Sequence, residues 1–230
     1  MVACFGMSPD PPGLRSTRPP QTMPHRLPSS GTVLHVGCGP QRIDATPFGP
    51  LDWQEIRLDI DPAVSPDLTG TMTAMPEVPA ASVDAIFSSH NIEHLEAHEV
   101  PIALEEFRRV LRPGGFALIT CPDLKAIAAR FLSHGLTQPA YISPAGPISP
   151  IDMLFGHRPA LAAGNHFMAH RCGFDEATLH ATLEECGFAQ VVTMSRPTAF
   201  DLWALATLEE WPEEHLGDAA LTLLPVLLGA

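Results

Sequence analysis

The stretch Val33-Leu34-His35-Val36-Gly37-Cys38-Gly39-Pro40 decides the fold. A mostly apolar run leads straight into a glycine turn, which is the pattern of a buried strand whose following loop passes close to another group. Glycine is used where a Cβ would block a ligand or force a strained dihedral angle. We therefore expect a strand over residues 33–36 and a tight turn at Gly37 and Gly39.

A second strand-like run, Glu55-Ile56-Arg57-Leu58-Asp59, ends in a carboxylate twenty positions after Gly39. In α/β sheets, a glycine turn after one strand and a carboxylate at the end of the next together hold a ribose-bearing cofactor. The carboxylate accepts hydrogen bonds from the ribose hydroxyls. This spacing predicts a cofactor site between the first two strands.

The chain after this point alternates between strand and helix patterns. Further strands are predicted at 82–88, 116–120, 190–195 and 202–207, and helices at 100–111 and 175–185. Pro113-Gly114-Gly115 is expected to end the first helix, and Asp175 and Gly187 are expected to cap the second. The alternation predicts an α/β fold with a doubly wound, mostly parallel sheet, and the last two strands predict an antiparallel hairpin at its edge.

The amino-acid composition argues against several classes of function. Acidic residues outnumber basic ones, 26 to 13, for a formal net charge of −13, which argues against nucleic acid or an anionic membrane as a partner. The five cysteines form no CxxC pair, so neither a disulfide framework nor a thiolate zinc site is indicated. No apolar run reaches membrane-spanning length, and the N-terminus lacks an unbroken apolar signal region. We expect a cytoplasmic protein.

Four ordered segments together resemble the class I S-adenosylmethionine-dependent methyltransferases, in their small-molecule, type 11-like branch. These segments are 33–39, the acidic strand end 58–61, residues 82–95 with the triplet Glu93-His94-Leu95, and residues 107–115. The resemblance implies a Rossmann-like, seven-stranded sheet with an antiparallel edge hairpin. It also implies S-adenosyl-L-methionine as cofactor and direct methyl transfer to a small-molecule acceptor.

The resemblance assigns roles to matching positions. The cofactor-binding residues would be Gly37, Cys38 and Gly39 at the methionine part, Asp59 at the ribose, Ile60, Thr71 and Met72 around the adenine, and Ser88 facing the sulfonium. For Ile60 and Met72, plain core packing is an equal alternative. Three positions depart from the family pattern: His35 replaces an acidic residue, Gln41 a glycine, and Thr71 the usual adenine-binding Asp.

Acid–base candidates follow the fourth strand, at the carboxyl edge where ligands bind. His90 and His94 lie in this loop, and His170 lies in a later insert. A general base is needed only if the acceptor must lose a proton early. We assign His90, His94 and His170 as the catalytic candidates.

Two other interpretations of the function stay open. His90-x-x-Glu93-His94 matches an H-x-x-E-H string, which on a helix would place two histidines on one face for a zinc-dependent hydrolase, or for a metal that assists a methyltransferase. Such a site could be completed by one of four other histidines, His98, His157, His166 or His170. Because this string begins where a strand ends, we assign no metal ligands and expect no metal requirement for structure or cofactor binding. The motif departures also allow a non-catalytic, cofactor-binding partner subunit.

The chain divides into three parts by composition. Residues 1–30 are proline-rich and are expected to form a flexible arm, and residues 31–207 form the methyltransferase domain. Within this domain, residues 134–172 form a proline-rich insert that we expect to contribute to the acceptor pocket. Residues 208–230 are expected to be a packing tail or a homodimer contact.

Overall fold

The structure, a computed structural model, describes residues 27–225. Most of the predicted N-terminal arm and the last five residues of the C-terminal tail lie outside the described residues.

A seven-stranded sheet forms the centre of the domain. The described residues form nine strands, of which seven belong to this sheet. They are β1 (Ser30–Val36), β2 (Asp52–Asp59), β3 (Leu68–Thr69), β4 (Val83–Ser89), β5 (Leu111–Pro122), β6 (Tyr141–Ser143), β7 (Gly146–Ile148), β8 (Gln190–Arg196) and β9 (Asp201–Thr207). The sheet has the order β3-β2-β1-β4-β5-β9-β8, while β6 and β7 form a separate hairpin. Strands β1 to β5 pair in parallel, and β9 and β8 run antiparallel at one edge, which confirms the predicted fold class.

The register brings the carboxyl ends of four strands to one edge. Val36 at the end of β1 pairs with Leu58 on one side and with Ser88 on the other. Ser89 at the end of β4 pairs with Thr120 of β5. The glycine turn, the Asp59 carboxylate and the loop after β4 therefore leave the sheet at the same edge.

Within residues 27–225, six α-helices accompany the sheet. They are α1 (Val100–Val110), α2 (Leu124–His134), α3 (Pro150–Phe155), α4 (Arg158–Ala162), α5 (Glu176–Glu185) and α6 (Glu213–Leu223). Helices α1 and α5 pack on one face through residues such as Phe107 and Leu183, and α6 packs on the opposite face through Ala219 and Leu223. The tail is thus a packing element at least as far as Leu223.

The predicted capping holds for one helix and fails for the other. Asp175 caps α5, its carboxylate accepting a hydrogen bond from the Thr178 amide at 2.8 Å. Helix α1 instead ends before Pro113-Gly114-Gly115, because Leu111 is already extended and pairs with Val83. The proline–glycine segment lies within β5 as an irregularity, so it follows the end of the helix closely, as predicted, but its glycines do not cap it.

Two connections lack the α-helix that strand–helix alternation predicts. Between β1 and β2 the chain forms only a 3₁₀ turn at Ile43–Ala45, and between β2 and β3 only one at Pro62–Val64. The fully buried ring of Phe48 covers the sheet face here. Its centroid lies 5.3 Å from Trp53, 6.0 Å from Phe87 and 6.1 Å from Phe116. An aromatic cluster thus covers the sheet where a helix was expected.

The predicted insert is a folded unit rather than an irregular loop. It contains the β6–β7 hairpin and helices α3 and α4, and Ile148 of β7 and Met153 of α3 pack with Ile127 of α2 in a small apolar core. Buried Asp152 accepts hydrogen bonds from the amide and hydroxyl of Ser149 and an ion-paired one from Arg158 at 2.6 Å. Burial opposes ionisation, but the guanidinium and the Ser149 donors hold the pKa of Asp152 well below its usual range. The insert therefore has a polar anchor of its own.

Replacement of Phe48 tests whether the aromatic cluster substitutes for a helix. We expect Phe48→Ala to lower the free energy of unfolding by about 3 to 5 kcal/mol, because a fully buried ring leaves a cavity. Phe155→Ala is the control, since its side chain is 61% exposed, and should change stability by less than about 0.5 kcal/mol. Urea denaturation measures both; equal effects would contradict this role for Phe48.

Candidate active site

The glycine turn after β1 adopts a conformation that favours glycine at two positions. Gly37 has φ +60° and Gly39 has φ +51°, both in the left-handed region. A Cβ on Gly37 would lie 2.0 Å from Oδ1 of Asn91, so this position has no room for a side chain. A Cβ on Gly39 would meet nothing within 4 Å. Gly37 is needed for packing, whereas Gly39 faces open space of the kind that a bound ligand could fill.

Asp59 is held in a fixed orientation beside this turn. Its Oδ2 accepts a hydrogen bond from the Gly39 amide at 2.7 Å, and its Oδ1 accepts one from the Asp61 amide at 2.8 Å. A carboxylate can accept about four hydrogen bonds, so about two remain for a ligand. The structure thus places the predicted ribose-binding carboxylate against the predicted glycine turn.

Arg57 stabilises the glycine turn by hydrogen bonds to backbone carbonyl groups. Its side chain is buried and donates to the carbonyl oxygens of Gly39 at 2.5 Å and Ser65 at 2.7 Å. The sequence analysis assigned no role to Arg57. Its signal was an arginine between two apolar residues, Ile56 and Leu58, near the end of the strand.

Two of the departures from the family pattern, His35 and Gln41, form hydrogen bonds to nearby residues. His35 is buried, and its Nδ1 lies 2.8 Å from Oε1 of Glu55. Burial lowers the pKa of His35, and the Glu55 carboxylate opposes that shift only in part. The Gln41 amide donates to the Ala45 carbonyl and so stabilises the 3₁₀ turn. These substitutions are accommodated within the fold.

The other predicted cofactor residues differ in accessibility. Cys38 is buried, which raises the pKa of its thiol to about 11 and keeps it protonated. Ile60 is 46% exposed beside Asp59, Met72 packs partly on the core, and the Thr71 hydroxyl bonds to that of Thr73. Ser88 is fully buried, with its Oγ 3.5 Å from the Asn91 amide nitrogen. Their cofactor contacts stay predictions.

The loop after β4 is not helical where the H-x-x-E-H string requires a helix. His90 has φ +54°, and only Ile92–His94 forms a single 3₁₀ turn. The side chain of His90 is half-exposed, whereas that of Glu93 is 1% exposed. This geometry removes the structural basis of the hydrolase reading, because the two histidines do not share one helix face.

The fold nevertheless brings together two of the three predicted catalytic histidines. The rings of His94 and His170 meet edge to face, with centroids 4.9 Å apart. One ligand atom each from Glu93, His94 and His170 lies within 4.8 Å of the others. His90 joins this group less closely, its Nδ1 being 3.5 Å from Oε1 of Glu93.

Backbone hydrogen bonds hold the insert against the loop after β4. The Arg171 amide donates to the Glu93 carbonyl at 2.8 Å, and the Cys172 amide donates to the same oxygen at 3.3 Å. The Ala169 carbonyl lies 3.0 Å from Nδ1 of His94. His170 is therefore placed by main-chain pairing on both sides, which no local sequence pattern indicated.

The electrostatics of this group depend on the buried Glu93 carboxylate. Burial opposes its ionisation, but the neighbouring His90 and His94 more than compensate and lower the pKa of Glu93. Partial burial opposes protonation of His90, yet Glu93 outweighs it and raises the pKa of His90. Burial lowers the pKa of His170. The group thus combines an anionic carboxylate with two histidines shifted in opposite directions.

A surface groove of about 780 Å³ lies elsewhere, between α2, α5 and the edge strand β8. The carboxylate of Asp123 at its wall already accepts hydrogen bonds from the Lys125 and Ala126 amides and from the Ser195 hydroxyl. We therefore locate the candidate active site at the carboxyl edge of the sheet and not in this groove.

Paired glycine substitutions test the different roles of the two turn positions. Gly39→Ala should cost about 1 to 2 kcal/mol of stability, because alanine is strained at positive φ. Gly37→Ala should cost a further 1 to 3 kcal/mol, roughly the penalty of overpacking, because its Cβ displaces Asn91. Thermal denaturation of both variants measures the difference; equal losses would contradict the packing role of Gly37.

Within residues 27–225, none of the helices combines the length and apolar character needed to span a bilayer.

No curated protein shows significant sequence similarity to the chain.

Comparison with protein families and solved structures agrees with the geometry. Residues 34–119 match the family model described as a methyltransferase domain. The fold resembles a SAM-dependent methyltransferase from Methanosarcina mazei, at 16% identity over 81% of this chain and 96% of that one, with a TM-score of 0.51. It also resembles a SAM-dependent methyltransferase from Thermotoga maritima described as a possible histamine N-methyltransferase, at 15% identity over 78% and 82%, with a TM-score of 0.50. The family match covers the glycine turn, Asp59 and the loop after β4, and this part of the chain is accordingly a methyltransferase domain.

Proposed function

We propose that the protein transfers the methyl group of S-adenosylmethionine to a small-molecule acceptor at the carboxyl edge of the sheet. The observation that carries this proposal is the position of Asp59, held by the Gly39 amide beside an open glycine turn. The histidine group after β4 leaves the sheet at the same edge. The same edge of the sheet thus carries residues that could bind the cofactor and residues that could bind the acceptor.

The residues present fit the cofactor. Asp59 keeps about two acceptor sites for ribose hydroxyls beyond its two backbone bonds. Ile60 exposes nearly half of its side chain next to that carboxylate and would pack on the adenine. Gly39 leaves room for close approach of the methionine part. When bound, S-adenosylmethionine supplies an electrophilic methyl group on a sulfonium.

The acceptor would lie between the loop after β4 and the returning insert. Asn91 contacts the glycine turn, and Glu93 follows only two residues later, so their Cα atoms are at most about 7.6 Å apart. The group formed by Glu93, His94 and His170 is therefore close to the cofactor side. Holding the acceptor in line with the methyl group lowers the barrier by removing the entropy of bringing them together.

His90 is the residue that we assign to proton transfer. Its ring is half-exposed at the mouth of the site, and its Nδ1 lies beside the Glu93 carboxylate. That carboxylate stabilises the protonated ring, so His90 can take up the proton that an acceptor hydroxyl or amine releases. His94 and His170 lie deeper and would position the acceptor.

We also propose that the protein acts in the cytoplasm. The cysteines Cys38, Cys121, Cys172 and Cys186 are all free among residues 27–225, which suits a reducing compartment. A homodimer through the tail stays a prediction, because the described part of α6 packs on its own sheet.

Substitution of Asp59 tests the cofactor assignment. Asp59→Ala should weaken S-adenosylmethionine binding at least tenfold, because hydrogen bonds to a charged group contribute about 1.5 to 3 kcal/mol each. Asp52→Ala is the matched control, since it removes an exposed carboxylate from the opposite end of the same strand. Calorimetric titration measures both affinities; unchanged binding by a folded Asp59 variant would disprove the assignment.

Substitution of Arg171 tests the acceptor side. Once mass-shift screening of metabolite extracts has identified a methylated acceptor, Arg171→Ala should raise its KM at least fivefold. The Kd for S-adenosylmethionine should change less than about threefold, which is under 1 kcal/mol. Arg112→Ala is the control, because this half-exposed arginine lies at the start of β5, away from the site. Loss of cofactor binding with normal acceptor kinetics would contradict the placement of the insert.

A further inference from the structure

We propose that Glu93, His94 and His170 form a binding site for a divalent transition-metal ion, with one coordination position open toward the acceptor side. The sequence analysis assigned no metal ligands, because the H-x-x-E-H string begins where a strand ends. The structure assembles a different set, in which the third ligand comes from the insert 76 residues after His94.

The ligand atoms are close enough for one ion. All three lie within 4.8 Å of one another. A point at the centre of such a triangle is at most about 2.8 Å from each atom, against the 2.0 to 2.1 Å typical of zinc–nitrogen bonds. Side-chain movements of less than about 1 Å would close the site around an ion.

Both histidines are held in the tautomer that a metal requires. Nδ1 of His94 lies 3.0 Å from the Ala169 carbonyl, and Nδ1 of His170 lies 2.8 Å from the Met153 carbonyl. A carbonyl oxygen can only accept, so in the neutral rings Nδ1 carries the proton and Nε2 has the free lone pair. Metal-binding histidines characteristically donate their other ring N–H to such an oxygen, which fixes the ring for coordination.

The carboxylate lacks the partners that a buried anion needs. Glu93 is 1% exposed, and neither of its oxygens has a hydrogen-bond partner within the described structure. The nearest cationic group, His90, approaches only to 3.5 Å. A buried carboxylate normally has a close ion pair, several donors or a metal. A bound cation would supply the missing partner.

The donor set indicates the class of metal. Two imidazoles and one carboxylate suit zinc and iron(II), whereas magnesium and calcium prefer oxygen ligands. Three protein ligands with an open fourth position are typical of catalytic zinc sites. The assignment of the open position to the acceptor rests on the proposed function. A thiol or hydroxyl group of the acceptor that bound the metal there would be stabilised as its anion.

Direct metal binding tests the site independently of methyl transfer. The untagged full chain, freed of metal by chelation, is titrated with Zn²⁺ against a chromophoric chelator. We expect one tightly bound ion, at least tenfold weaker binding in His94→Ala and in His170→Gln, and unchanged binding in His98→Ala. His98 is an exposed histidine of the same loop and lies outside the group. When Co²⁺ replaces Zn²⁺, we expect the visible absorption spectrum of a cobalt ion with few ligands. The His170→Gln variant should lack this absorption.

A second readout separates metal binding from a purely structural role. Glu93→Gln should abolish the Zn²⁺-dependent rise in melting temperature, because the neutral amide is a much weaker metal ligand than the carboxylate, while the nearly isosteric side chain leaves the metal-free protein folded. Retention of the zinc response, or zinc affinity equal in the His94 and His98 variants, would overturn the proposal. Titration with S-adenosylmethionine is run in parallel; intact cofactor binding with no zinc binding would reject the metal site alone, and the converse would reject the proposed function alone.

Discussion

The side chain of Asn91 fills the space that Gly37 leaves open, and the two sides of the site are coupled through this contact. Its amide nitrogen donates to the Val36 carbonyl at 2.8 Å and to the Ser89 carbonyl at 3.0 Å, so it joins the ends of β1 and β4. Any side chain at Gly37 would break this arrangement. Because the chain continues directly from Asn91 to Glu93, the glycine turn and the histidine group cannot shift independently.

The insert is fixed by a comparable set of main-chain contacts. Two amides of its returning segment donate to the Glu93 carbonyl, and Gly156 approaches the Met168 carbonyl so closely that a Cβ would lie 1.9 Å away. The ion pair of Asp152 with Arg158 stabilises the insert internally. Side chains that must be held within fractions of an ångström are best supported by rigid surroundings. The insert thus provides a preorganised wall for the acceptor side, not a loose connection.

The sequence predicts those features that depend on neighbours along the chain. Apolar runs predicted six of the seven strands of the main sheet and missed only the two-residue strand β3. The Gly39–Asp59 spacing located the carboxylate that accepts a hydrogen bond from the Gly39 amide. It could not predict the missing helices, because burial of Phe48 depends on rings from three different strands. It also could not predict the meeting of His94 and His170, which requires the insert to fold and return. Periodicity carries no information about contacts of that separation.

The buried carboxylate of Glu93 accepts no hydrogen bond from the described residues, and the neighbouring rings of His90 and His94 offset the burial of its charge. Burying a charge without hydrogen bonds costs several kcal/mol, so a core selected for stability alone would place an apolar side chain there. Local conflicts of this kind are expected at functional sites and are compensated elsewhere in the fold. Here the compensation is visible: two amides hold the Glu93 backbone, and the buried core of α1 and β4 lies directly beneath it. The fold thus holds an anion at the edge where we propose that the cofactor and its acceptor meet. A fixed negative charge there attracts cations, such as the sulfonium of the cofactor or a metal ion.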